Sequence, residues 1–359
     1  MEFGLSFLPD VWPHMRSASD YYADAFALCE QAEATGLQYV KMTEHYLHAY
    51  GGFCPSPLTF LAAVAARTLR IRLMTGCVIP VFHHPVQLAA HAAMVDVISR
   101  GRLDVGFARA YLPYEFDTFG VSLDGSRERY EESIDAILRL WTEESVTIES
   151  LRIRNARNLP PPVQRPHPPV WVAAVRSRQS FAWIGEKGFN LLVTLGLGNI
   201  EALRDLIGIY REAFRESHGP AVGRVFISIP LYLAKTEREA VAEGERYLRR
   251  SLDVWADACE SLRNVQSADY PGYTKVFYAI RNASPEQMRK SGNALIGTPE
   301  HVAERVAAIE ATLGVDGMLW NLDYGGLPGA TANRILTLFV KETLPRLSLL
   351  HRGITAAPS

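Results

Sequence analysis

Short apolar runs alternate with helix-patterned segments eight times along the chain, and this alternation limits the fold more than any single motif does. Phe3 to Leu8, Leu37 to Met42, Ile71 to Ile79, Leu103 to Phe107, Val170 to Ala174, Phe189 to Thr194, Val225 to Leu233 and Gly317 to Trp320 read as buried parallel strands. Helix signals lie between them. Ala25, Leu28, Cys29 and Ala32 share one face and stop at Gly36, while His84-Pro85, Ser126 (as an N-cap) and Thr298-Pro299 mark helix starts. Eight such units predict an α/β chain folded as one (β/α)8 TIM barrel over residues 1–359. A doubly wound open sheet is the alternative, but no Gly-x-Gly-x-x-Gly follows the first strand.

Two stretches interrupt the pattern. A small β element around Val146 to Ile153 is followed by six prolines between Pro160 and Pro169, read as a stiff loop because the alternation resumes at once. Before the last helix–strand pair, an insertion at about 250–296 is long enough to serve as an active-site lid. The last residues, Ala356 to Ser359, are expected to fray.

Composition removes several function classes. A formal net charge of −2 without any Lys/Arg run disfavours a nucleic-acid partner. No window of about 18 apolar residues offers a membrane span, and no basic-then-apolar leader opens the chain, so a cytoplasmic protein is expected. Cys29, Cys54, Cys77 and Cys259 lack paired spacing and imply neither a disulfide framework nor a cysteine metal site.

Barrels of this kind build their chemistry at the carboxyl ends of the strands. Strand two delivers Thr43-Glu44-His45 there, and strand three ends near Gly76-Cys77, with His83-His84 beyond. Strand four releases Arg109 into a loop carrying Tyr111, Tyr114, Glu115, Phe116 and Phe119; strand five exits at Ala174-Val175-Arg176-Ser177, with Ser180 following. Arg109 either binds an anion or pairs internally with Asp104 or Glu115. Ser177 and Ser180 either cap a helix or bind an anion at its N-terminus. Adjacent strand exits favour a shared anion. Glu44, His45, His48, His83 and His84 could ligate a metal, but the first strand lacks the His-x-His of metal-dependent barrel hydrolases. His48, His83 and His84 are therefore read as surface or packing residues.

Taken in order, these residues resemble the bacterial luciferase-like family of flavin-dependent monooxygenases. The matching stretches are Met1 to Gly4, Thr43-Glu44-His45, His83-His84-Pro85, Ser99 to Gly106 with Arg109, Tyr114 to Gly120, Val170 to Ala174 with the serines after it, and Gly297 to Glu300. The resemblance implies that reduced FMN, supplied by a separate flavin reductase, binds at the barrel mouth. O2 would add at carbon 4a, and the resulting flavin hydroperoxide would oxidise a hydrophobic organic substrate. On this resemblance His45 is the catalytic histidine; Glu44 beside it could orient the imidazole, touch the ring or form a plain structural salt bridge. Arg109 holds the FMN phosphate; Ala174, Val175, Arg176, Ser177 and Ser180 complete that site. Gly76-Cys77 supports the ring through a non-prolyl cis peptide, and Tyr111 and Glu115 face flavin or substrate. Tyr46, Tyr50, Phe53 and Tyr111 would line the substrate pocket, and a homodimer would form through helices near strands two and three. The chain departs from luciferase at Ala108, where luciferase has cysteine, and at Val175-Arg176, where it has Glu-Ser. Luciferase activity itself is therefore not carried over. A deazaflavin-dependent oxidoreductase and a non-catalytic flavin-binding barrel remain as alternatives.

Overall fold

The computed structural model describes residues 1–351, so the expected fraying at Ala356 to Ser359 lies outside the described residues. Eight strands form the barrel: β1 (Glu2–Phe7), β2 (Tyr39–Met42), β3 (Arg72–Thr75), β4 (Leu103–Phe107), β5 (Val170–Ala173), β6 (Asn190–Thr194), β7 (Val225–Leu233) and β8 (Gly317–Asn321). Each is parallel to the next, and β8 returns to β1, which closes the sheet. The expected (β/α)8 architecture is the one found.

Closure explains the continuous apolar runs, because both faces of every strand are buried. Outward residues such as Leu5, Phe7, Val40 and Met42 pack under the helices. Inward residues Tyr39, Met74, Trp171, Leu192, Phe226 and Leu319 fill the barrel. Asp104 is buried with them, accepting from Trp171 Nε1 at 2.8 Å and Arg72 Nε at 2.8 Å. Arg102 has a purely architectural part. Its guanidinium donates to Ala65, Thr68, Ile71 and Ser99 carbonyls and to Thr68 Oγ1, tying the β3 and β4 entrances together.

Four boundaries differ from the expected ones. β3 ends at Thr75 rather than Ile79, and beyond it Val78 makes only a bridge to Phe107; the Gly76–Cys77 peptide bond is cis. The helix Ser126–Thr142 has Gly125 as its cap, so Ser126 is not the N-cap and its hydroxyl is free for other partners. The helix Glu237–Ala258 runs through the expected insertion boundary near 250; its buried face of Ala240, Gly244, Tyr247, Leu248 and Leu252 continues without a break. The segment after it is mostly helical, with helices Tyr273–Arg281 and Pro285–Ser291, and ends in a short strand, Leu295–Gly297, added beside β7. The final helix starts at Gly329 and continues through a π turn at Phe339–Thr343 to His351. Among the described residues no helix is long and apolar enough to cross a membrane.

Candidate active site

The β2 exit is braced against the β3 exit. Thr43 Oγ1 donates to the Gly76 carbonyl at 2.8 Å, and Glu44 N donates to the Cys77 carbonyl at 3.2 Å. Glu44 is buried and its carboxylate is fully engaged. Oε1 accepts from Tyr46 OH at 2.8 Å and meets His83 Nε2 at 2.8 Å, while Oε2 accepts from Ile79 N at 3.3 Å. His83, expected as a packing or surface residue, is thus a direct partner of the site's first carboxylate.

The partner of the His45 imidazole is a different acid. Glu115, wholly buried, places Oε1 at 3.1 Å from His45 Nδ1, and the same oxygen accepts from Tyr46 N at 2.9 Å. Of the roles open to Glu44, the contacts match the structural bridge, and orienting His45 falls to Glu115. A carboxylate at Nδ1 holds the proton there and leaves Nε2 as the nitrogen able to accept one. Gly51 makes the arrangement possible: its φ is +75°, and a Cβ there would lie 2.7 Å from the imidazole.

One wall beside His45 is aromatic. Tyr50 and Tyr111 lie with ring centres 5.0 and 6.3 Å from the imidazole, and Trp255 stacks on Tyr50 while donating Nε1–H to Tyr111 OH at 3.0 Å. Burial raises the Tyr111 phenol far above its ordinary pKa, so it stays protonated. Trp255 was not apparent from sequence, because it belongs to a helix over the mouth rather than to a strand exit. Of the other expected pocket residues, Tyr46 packs on Phe82 and Phe119, and Phe53 on Tyr21, away from the imidazole.

Arg109 pairs with neither Asp104 nor Glu115, which are engaged elsewhere. Its Nη2 lies 3.4 Å from Ser126 Oγ and 3.4 Å from the Asp269 carbonyl, its guanidinium covers the Tyr270 ring at 4.6 Å, and its Nε is buried without a partner. Across from it Ser177 caps the helix Arg178–Glu186 by accepting from Ser180 N, and Ser180 Oγ accepts from Arg127 Nη2 at 3.2 Å. Ser177 is therefore a helix cap, and Ser180 touches a cation. Arg109, Arg127 and Arg176 all bear on the Tyr273 phenol, opposing the upward push of burial. Ala174 is buried and Val175 turns its side chain outward. Three guanidiniums, hydroxyls and two helix N-termini at Ser126 and Arg178 make a cradle suited to an anion. Arg127 was missed from sequence. Its signal was a cation in the first turn of a helix, where the helix dipole disfavours one.

The model of the luciferase-like monooxygenase family matches residues 1–317. The chain belongs to this family. The oxygenase component of the flavin-dependent trigonelline monooxygenase of Acinetobacter baylyi is 30% identical, over 94% of this chain and 95% of that protein. Among solved structures, the monooxygenase RslO1 from Streptomyces bottropensis is 35% identical with a TM-score of 0.84, covering 96% of this chain and 99% of its own. The oxygenating constituent of 3,6-diketocamphane monooxygenase from Pseudomonas putida, solved with FMN, shares the fold at 23% identity and a TM-score of 0.79, over 97% and 99% of the two chains. This luciferase-like monooxygenase is accordingly an oxidoreductase of the flavin-dependent kind. Its remaining mouth histidines have structural work: His84 caps the helix Pro85–Ile98 by accepting from Val86 N, and His48 lies between Trp12 and Asp257.

Proposed function

We propose that this enzyme is the oxygenase half of a two-component system, taking reduced FMN from a separate flavin reductase and using O2 to oxidise an apolar organic substrate beside His45. The observation that carries this reading is the pairing, at one barrel mouth, of an anion cradle with a buried His45–Glu115 couple. The relatives that are 30% and 35% identical are both monooxygenases, and one is named as an oxygenase component.

The residues fit the cofactor. Arg109 has a buried Nε with no partner, and Arg109, Arg127, Ser180 and the amides opening the helix Arg178–Glu186 would hold a terminal phosphate. Ala174, Val175 and Arg176 would border it through their backbone, and Gly76–Cys77 would support the ring. Bound reduced FMN would supply the electrons with which one oxygen atom enters the substrate and the other leaves as water.

The chain's own groups do the rest. His45 would take or give a proton at Nε2, with Glu115 holding the Nδ1 proton and balancing the imidazolium when it forms. Glu44 braces the two strand exits through Tyr46, His83 and Ile79. Tyr50, Tyr111 and Trp255 would shape an apolar substrate pocket, and residues 259–294 would act as a lid excluding water from it. The test is O2 uptake by the purified protein with chemically reduced FMN, compared with reduced deazaflavin. Uptake with FMN is expected. Hydride transfer from deazaflavin without O2 uptake would establish the other cofactor, and flavin binding without turnover over a broad substrate screen would leave a non-catalytic barrel.

A further inference from the structure

The upper interior of the barrel holds a group of polar side chains that the site above does not use. Ser6 on β1 is in register with Lys41 on β2 and with Asn321 on β8, so the three stand side by side. They point inward. Leu5 and Phe7 pack outward under the helices, and Gly4, one step below Ser6, abuts Tyr39 and Leu319 of the interior layer. Ser6 Oγ and Asp323 Oδ1 are buried without partners. Lys41 is only 8% exposed and, among the described residues, forms no ion pair or hydrogen bond.

A largely buried lysine whose ammonium has no protein partner is costly, and interiors seldom keep one. The chain has even made room for this one. A Cβ on residue 76 would lie 2.0 Å from Lys41 Cγ, 2.1 Å from Cδ and 2.8 Å from Cε, so Gly76 is required by the lysine stem passing beneath it. The lysine thus reaches the Gly76–Cys77 corner from inside the barrel. Burial pulls its pKa down, while the Cys77 thiol and the Asp323 carboxyl push it back up. Asp323 is a weak counter-ion at neutral pH, because burial raises its own pKa to about 7.

We propose that Lys41 is the counter-charge of the flavin site, a cation stationed under the Gly76–Cys77 corner that favours the reduced cofactor over the oxidised one. The inference rests on the flavin reading above. A reduced flavin ring carries a negative charge near neutral pH and the oxidised ring does not, so a fixed cation below the ring discriminates between them. That choice suits an oxygenase that must accept the reduced form and release the oxidised one.

The test compares wild type, Lys41→Met and Lys41→Gln by anaerobic titration with FMN in both redox states. Both variants are expected to bind reduced FMN at least about tenfold more weakly while oxidised FMN changes less than about threefold. The bound flavin's two-electron potential then falls by about 30 mV for each tenfold of that difference. Lys41→Met exchanges a buried cation for an apolar chain of similar length, so its melting temperature should not fall; should it fail to fold, Lys41→Gln carries the comparison. Equal weakening of both redox forms, or no change in either, overturns the assignment of Lys41 while leaving flavin binding intact. A wild-type protein that binds neither form overturns the flavin reading, and this inference with it.

Discussion

His45 and Glu115 are separated by 70 positions in the chain, yet the imidazole Nδ1 and the carboxylate lie 3.1 Å apart in a buried setting. Removing the imidazole should leave the phosphate cradle untouched. His45→Ala is expected to retain FMN affinity and lose ~10²–10⁴-fold in product formation, the range for a general acid–base group; undiminished turnover would sink that role. Arg109→Ala should instead weaken FMN binding by roughly 10- to 100-fold, the loss of a charge-assisted hydrogen bond, measured by fluorescence titration. Asp323 makes a pH-dependent contribution to stability. Its carboxyl rises from 3.8 to about 7 on folding, mainly through burial, so the folded chain binds this proton more tightly than the unfolded chain. Stability from this group is therefore full below about pH 4 and is lost as pH rises toward 7. Asp323→Asn should flatten the pH dependence of denaturant unfolding between pH 5 and 8, a difference on the order of a few kcal/mol; parallel curves for the two proteins would show that Asp323 already ionises freely. At this scale the sequence revealed which residues reach the mouth but not who pairs with whom. Glu44 adjoins His45 in sequence but turns to His83, a choice made by the positions of β2 and β3 rather than by proximity along the chain.

Elements decide what the anion cradle contacts before a ligand arrives. Asp269, in the segment over the mouth, accepts from Arg127 N at 3.3 Å and brings its carboxylate to 3.9 Å from Arg109 Nη2, while Tyr270 donates to the Ala110 carbonyl at 2.6 Å. A carboxylate from this segment thus lies among the same cations that would receive a phosphate. Asp269→Asn keeps the hydrogen-bonding shape and removes the competing charge, so reduced FMN should bind several-fold more tightly, roughly the ~1 kcal/mol of a partly exposed ion pair. Weaker binding in that variant would mean that Asp269 instead orders the cradle. The strands were legible because parallel strands buried on both faces write themselves as apolar runs. The helix Glu237–Ala258 was not legible in sequence because its exposed face is dense in charge around Arg246, Arg249 and Arg250, which hides the apolar stripe beneath. The cradle's second arginine was obscured for a related reason: Arg127 belongs to a helix start, not to a strand exit.

At the scale of the whole molecule, barrel closure leaves the eight barrel strands no free edge for association, so helix surface is the natural place for a partner copy. The helix Pro85–Ile98 offers one. It buries Leu88, Ala89, Ala92, Ala93 and Val95 against the barrel and its neighbouring helix, while Met94, Val97 and Ile98 remain 47%, 41% and 45% exposed on its outer side. Single exposed apolar residues are unremarkable, but three at i, i+3 and i+4 form a continuous stripe. A two-fold axis across such a stripe would set it against its own copy, the self-complementary contact of an isologous dimer. A homodimer of the kind expected through helices near strands two and three would use this surface. Met94→Glu combined with Ile98→Glu introduces like charges facing one another across the axis. Light scattering should then report a monomer where the wild type is a dimer, with FMN affinity preserved because the mouth lies at the strand ends rather than on this helix. A dimer that persists in the double variant would place the interface elsewhere. A monomer that loses FMN binding would make the partner copy part of the site's support.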